Sequence, residues 1–231
     1  MSGEYILTVS DLSVTLQGQP ILSGVSFAIR RGTTLAVVGP NGAGKSVLFR
    51  ALLGLVPHTG SIEWGGKVKI GYVPQIVSVR DIPISVGEFL SMRRASSPSE
   101  ALRSVGLDAA VMKKNLGVLS GGQLRRVLIA WAVMDRPDIL LFDEPTTGVD
   151  LDSEEAIYDM LRRLTREERM TLIMISHERH IVNDYSDIML ALDGCVKYFG
   201  DSHEIMNPDI QKVIYREEGL CIVPTVGEAD G

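Results

Sequence analysis

The stretch LAVVGPNGAGKSVLFRALL, residues 35–53, decides the fold. It opens on four apolar residues, Leu35 to Val38, a run that suits a strand buried on both faces. A loop with three glycines follows, and from Lys45 onward the apolar residues fall at helical spacing. The loop Gly39, Pro40, Asn41, Gly42, Ala43, Gly44, Lys45, Ser46 fits G-x-x-x-x-G-K-[ST], with the strand before it and the helix after it that the pattern requires. Its glycines let successive backbone N–H groups turn inward around phosphate oxygens, and the helix that starts near Lys45 adds its positive dipole end. Lys45 is placed to bridge the β- and γ-phosphates of ATP, and the Ser46 hydroxyl to ligate Mg²⁺.

Working outward, residues 5–30 alternate apolar and polar side chains around the turn-like Gln17, Gly18, Gln19, Pro20, the pattern of antiparallel strands at a sheet edge. Residues 61–64 and 68–73 read as two further strands with a turn at Gly65 and Gly66 between them. Residues 87–115 read as short helices broken at Pro98 and Gly106, and a longer helix runs from Gly121 to about Met134. Strands and helices then alternate: strand 139–142, helix 153–164, strand 171–176, helix 179–184, and strands 188–192 and 195–199 around the turn at Asp193 and Gly194. This alternation implies a mostly parallel sheet covered on both faces, with an antiparallel β region at the N-terminus and an inserted helical lobe. A single domain is expected, with its core at 1–76 and 119–218, the lobe at about 77–118, and a poorly ordered Gly- and acid-rich tail at 219–231.

Two further motifs narrow the chemistry. Strand 139–142 delivers Asp143 and Glu144 at its C-terminal end, where α/β sheets bind ligands. Asp143 is placed to hold Mg²⁺ and Glu144 to act as general base on the attacking water. In Leu119, Ser120, Gly121, Gly122, Gln123, the Ser120 to Gln123 spacing is that of a capping box, and the two glycines leave the first-turn N–H groups unobstructed. Two glycines in a first turn cost about 1 kcal/mol each relative to Ala, which an ordinary cap does not require. A second anion site at a helix N-terminus accounts for them.

The composition sets bounds. In 231 residues, 23 Lys and Arg against 29 Asp and Glu give a net charge of −6, which argues against a nucleic-acid partner. Mean hydropathy is +0.15, yet the longest apolar run, 127–134, is far short of the roughly 18 residues a membrane helix needs. The N-terminal residues lack the pattern of a secretory signal. The two cysteines, Cys195 and Cys221, suggest no disulfide framework and suit a reduced cytoplasmic compartment. His177 and His180 miss the H-E-x-x-H spacing, since position 181 is Ile, so no protein-borne zinc site is expected.

GPNGAGKS, LSGGQ and ILLFDEP, in this order, resemble the nucleotide-binding subunit of ATP-binding cassette (ABC) transporters over about residues 5–215. The resemblance implies the P-loop ABC cassette fold, ATP with Mg²⁺, and a head-to-tail homodimer. In that dimer Ser120, Gly121, Gly122 and Gln123 of one copy face the γ-phosphate held by the other. It also implies roles for Gln75, which links Mg²⁺ and the attacking water to the helical lobe; for His177, which contacts the γ-phosphate; and for Asp150, in the loop that crosses the dimer interface. Leu16 stands where the family often stacks an aromatic ring on adenine, and Val47 stands where a second hydroxyl residue is common.

Only 45 residues separate Gln75 from Ser120, which makes the lobe compact. With GKVKIGYVPQ, DEPTTGVD and SHERHIV, the chain is most similar to the ATPase subunits of zinc and manganese importers fed by an extracytoplasmic solute-binding protein. Integral membrane permease subunits are the implied partners, docking near residues 77–94, with the chain on the cytoplasmic face of the membrane. The alternative is a soluble ABC ATPase that drives a cytosolic assembly such as an iron–sulfur scaffold.

Overall fold

The structure is a computed structural model and describes residues 5–75, 83–93, 97–143, 151–215 and 221–222, with the backbone alone at 151–153. In chain order the first elements are β1 (Tyr5–Leu16), β2 (Gln19–Arg30), β3 (Thr34–Val38), α1 (Lys45–Leu52), β4 (Thr59–Trp64) and β5 (Ile70–Val73). A helical stretch follows, α2 (Val86–Ser91), α3 (Pro98–Ser104) and α4 (Gly121–Val133). The chain continues through β6 (Ile139–Phe142), α5 (Leu151–Glu168), β7 (Thr171–Ile175), α6 (Arg179–Tyr185), β8 (Ile188–Asp193), β9 (Cys195–Asp201) and α7 (Pro208–Tyr215). It divides into two compact units, Met1–Val68 with Thr171–Gly231, and Lys69–Met170. Among the described residues no helix is long and apolar enough to cross a membrane.

The first unit carries two β arrangements. β1 pairs antiparallel with β2 on one side and β4 on the other, so the expected N-terminal antiparallel strands are present with β4 added. The second arrangement is the parallel set β7-β3-β8, closed by β9 antiparallel to β8. All five residues of β3 are buried, as the apolar run Leu35 to Val38 requires, and each fully buried Val or Leu contributes about 1.5–3 kcal/mol. β3 is tied to β8 at its start, where the Thr34 N–H donates to Asp187 Oδ2 at 2.7 Å and the Asp187 N–H donates to the Thr34 carbonyl at 2.9 Å.

In the second unit β5 and β6 run parallel, and β5 packs against α4. Gly71 is required there, because a Cβ would sit 2.9 Å from the Ala132 carbonyl oxygen. The short helices have local causes. Ser85 and Glu88 form a capping box that starts α2, and the Ser85 hydroxyl and N–H, by donating to it, hold the Glu88 carboxyl below its ordinary pKa. Pro98 is the first residue of α3, where its missing N–H costs nothing, and Gly106 ends the helical segment with φ 71°. A bridge between Ser85 and Asn115 returns the chain toward α4, whose side chain Trp131 stacks on Phe89 at 5.6 Å.

Two readings of the sequence are corrected. The glycine turn at Gly65 and Gly66 does not join a hairpin: β4 pairs with β1 and β5 with β6. Gly65 instead stays beside β1, donating its N–H to Ile6 at 2.9 Å, where a Cβ would lie 2.2 Å from the Tyr5 carbonyl oxygen. The cysteines are not free thiols. Cys195, at the start of β9, is bonded to Cys221 across a Cα–Cα distance of 5.7 Å, and the Ile222 N–H donates to the Val196 carbonyl at 2.8 Å. Cys221 and Ile222 thus lie against β9, a pairing that composition could not reveal. Of the expected tail, only Cys221 and Ile222 are among the described residues.

Candidate functional site

The C-terminal end of β3 runs directly into the glycine loop. Gly39, Gly42 and Gly44 take φ of 143°, 84° and 93°, a region that L side chains rarely enter. Space excludes a side chain at Gly39 and crowds one at Gly44. A Cβ on Gly39 would lie 2.0 Å from the Leu192 carbonyl oxygen, and one on Gly44 would lie 2.6 Å from Leu22 Cδ2. The loop is also braced from outside: the Gly194 N–H, in the β8–β9 turn, donates to the Ala43 carbonyl at 3.1 Å, and the Ser23 N–H donates to the Gly194 carbonyl at 2.8 Å.

Lys45 opens α1 and is only 7% exposed. Its ammonium curls back into the loop and donates to the carbonyls of Gly39 and Pro40 at 2.9 and 2.8 Å. A charge so placed sits at the centre of a backbone cradle of the shape a phosphate chain fills, beside the helix N-terminus. His177 follows β7, which lies beside β3 in parallel register with Ile175 opposite Val37, and its side chain is exposed. The Ser176 N–H donates to the Val37 carbonyl at 3.3 Å. The glycine loop and His177 therefore leave the same end of adjacent parallel strands, the end at which such sheets bind ligands.

The second unit repeats this logic. β5 and β6 are in register with Val73 opposite Phe142, and the Asp143 N–H donates to the Val73 carbonyl at 2.9 Å. Gln75 and Asp143 thus emerge from neighbouring strand ends, and Asp143 is buried. Glu144 and Asp150 lie outside the described residues, as do positions 77–82 and 94 of the expected docking stretch 77–94. The capping box at α4 forms as its spacing requires: the Gln123 N–H donates to Ser120 Oγ at 3.2 Å and the Ser120 N–H to Gln123 Oε1 at 3.3 Å. Ser120 and Gly121 are exposed, and the N–H groups of a first turn have no partner within their own helix.

One residue of this region escaped the sequence reading. Arg125, on the second turn of α4, is buried, with its guanidinium 5.0 Å from the centre of the Phe142 ring. Nη1 donates to the Pro74 carbonyl at 2.6 Å and lies 3.5 Å from the Gln75 carbonyl, while Nη2 donates to the Asp143 carbonyl at 2.9 Å. An arginine on a helix is ordinarily a solvated charge, so nothing in the pattern marks it.

The residues present suit ATP with Mg²⁺. The cradle, with no room for a side chain at Gly39, suits phosphate oxygens, and the Ser46 hydroxyl beside it is a hard oxygen donor of the kind Mg²⁺ prefers. When bound, the ion neutralises charge on the transferring phosphoryl group.

Known proteins agree with this assignment. The family model described as ABC transporter matches residues 22–147. Among solved structures, a protein assigned as a metal-chelate-type ABC transporter, in an inward-facing conformation, is 28% identical with a TM-score of 0.80, covering 91% of this chain and 88% of that one. CbiO1 from Clostridium perfringens, part of the transporter complex cbiONQ, is 28% identical with a TM-score of 0.76 and coverages of 90% and 93%. A bacterial Atm1-family ABC exporter with ATP bound is 27% identical with a TM-score of 0.78, covering 91% of this chain and 41% of that one. The glycine cradle, the paired strand ends and the match across more than half of its length place this chain in the ABC transporter family, as an ATP-binding and ATP-hydrolysing domain coupled to transport.

Proposed function

We propose that this chain energises an importer of a divalent metal ion, zinc or manganese, by working as a homodimer that closes on two ATP molecules at the cytoplasmic face of the membrane. ABC ATPase subunits act with membrane permease subunits, and an extracytoplasmic binding protein delivers the ion to those. The observation that carries the dimer is the exposed, glycine-flanked N-terminus of α4, a phosphate-binding end left open to solvent. The metal assignment draws on the compact lobe, the segments around Gln75, Asp143 and His177, and the likeness to the metal-chelate-type transporter.

In this reading Lys45 exchanges the carbonyls of Gly39 and Pro40 for phosphate oxygens, and Ser46, Gln75 and Asp143 hold Mg²⁺. Glu144 takes a proton from the attacking water, and His177 contacts the γ-phosphate. Ser120, Gly121, Gly122 and Gln123 reach the same phosphate from the partner copy, with Asp150 crossing between them. The γ-phosphate gives the closed dimer its extra affinity, and cleavage removes it.

Ser120→Arg fills the open helix end with a bulky cation. It is expected to leave binding of the first nucleotide intact, by titration calorimetry, and to block turnover; unchanged turnover would refute the shared site. His177→Ala is expected to slow steady-state hydrolysis on the order of a hundredfold, the range for one lost transition-state contact. A rate near that of the parent chain removes His177 from the mechanism. The ion is tested by ATPase assay of the complex reconstituted with its permease and binding protein against a panel of metals. Stimulation by zinc or manganese alone supports import of that ion, and indifference to all of them overturns it.

A further inference from the structure

We propose that Arg125 is a positioning residue that makes one rigid body of three segments: the α4 N-terminus, the strand end bearing Gln75, and the strand end bearing Asp143. The inference rests on the proposed function above, which supplies what each segment does.

Burying a guanidinium is costly, and the usual compensation is a full set of hydrogen bonds. Arg125 obtains strong ones from the main chain: Pro74 at 2.6 Å and Asp143 at 2.9 Å, each charge-assisted. Both acceptors are carbonyls just past the ends of the parallel strands β5 and β6. The last bond between these strand ends runs from the Asp143 N–H to the Val73 carbonyl, and beyond it the fork of Arg125 holds the Pro74 and Asp143 carbonyls. The planar guanidinium presents donors in a set geometry, so the two carbonyls are held at a set separation. The face of Phe142 covers the group at 5.0 Å and limits its rotation.

The carbonyls belong to consequential residues. Pro74 immediately precedes Gln75, and Asp143 carries the buried carboxylate and immediately precedes Glu144. Arg125 itself lies two positions beyond Gln123, within the next turn of the helix whose capping box displays Ser120. A push on Ser120 and Gln123 thus moves the helix that holds Arg125, and through its fork the backbone of Gln75 and Asp143. In a dimer where the α4 N-terminus meets the partner's nucleotide, this joins one ATP site to the other. Arg125 acts through main-chain carbonyls, so its effect is on geometry.

The conservative variant separates this role from simple stability. Lysine keeps the charge and can reach one carbonyl but cannot span both. Arg125→Lys is expected to fold, to keep its KM for ATP within about twofold, and to lose roughly tenfold in kcat, with the Hill coefficient for ATP falling toward 1. An unchanged kcat and Hill coefficient in the folded variant overturns the proposal, as does a loss that only tracks the unfolded fraction in a melting curve. If Arg125→Lys does not fold, Arg125→Gln carries the same measurements, and failure of both to fold assigns Arg125 to stability and overturns its positioning role. To keep the two readings distinguishable, Glu144→Gln is compared with Glu144→Gln, Arg125→Lys for ATP-induced dimerisation by light scattering. Dimers in both, with the kcat loss above, support the proposal. No dimer in Glu144→Gln alone defeats the shared-site reading on which it rests, and a dimer lost only on adding Arg125→Lys shows that Arg125 acts in closure and overturns its role within the closed state.

Discussion

Glu144→Gln is expected to bind ATP with the affinity of the parent chain, to hydrolyse it roughly a thousandfold more slowly, and to accumulate as a closed dimer. The amide matches the carboxylate in size and can still accept a hydrogen bond from water, but it cannot take the proton. The water then remains a poor nucleophile while every group that grips the triphosphate is intact. Binding and chemistry come apart, and the state that normally ends with cleavage persists. Gel filtration with ATP and Mg²⁺ reads the dimer, and single-turnover hydrolysis reads the rate. Ordinary turnover would remove Glu144 as the base.

The second large effect is expected at Lys45. Lys45→Ala removes a buried ammonium that holds the Gly39 and Pro40 carbonyls, and with it the charge at the centre of the cradle. Hydrogen bonds from a charged donor contribute about 1.5–3 kcal/mol each, so loss of two phosphate contacts weakens ATP binding by about a hundred- to ten-thousandfold. Titration of a fluorescent ATP analogue measures this, and an affinity within threefold of the parent chain would contradict the placement of Lys45. The two carbonyls also lose their donor, so a lower melting temperature without nucleotide accompanies the change.

The parts of this architecture that were legible in sequence are those with local causes. β3, the glycine loop and α1 are written in one continuous stretch, with a buried strand, positive-φ glycines and a helical apolar period, and each falls where it was expected. The α4 start was legible because its cap needs only Ser120 and Gln123. The same signal at Ser85 and Glu88 was passed over, although the spacing is identical. What the sequence concealed depends on partners far along the chain. β4 reads as half of a hairpin until β1, some fifty residues earlier, claims it. Cys195 and Cys221 show no sign of their bond, because 26 residues of separation say nothing of whether the two meet. Arg125 looks like any surface arginine, and its meaning comes from two carbonyls at residues 74 and 143.

The bracing of the phosphate loop bears on when its entropy is lost. The Gly194 N–H holds the Ala43 carbonyl, Ser23 holds Gly194, and Cys195, next in sequence, is tied covalently to Cys221. The eight residues from Gly39 to Ser46 therefore reach their curved form as the chain folds and not as ATP arrives. Ordering a backbone residue costs about 1–2 kcal/mol, and here that penalty falls on the folding equilibrium, so the free energy of phosphate contact is kept for affinity. The loop is preorganised, a mould set by β8, β9 and the staple beside them.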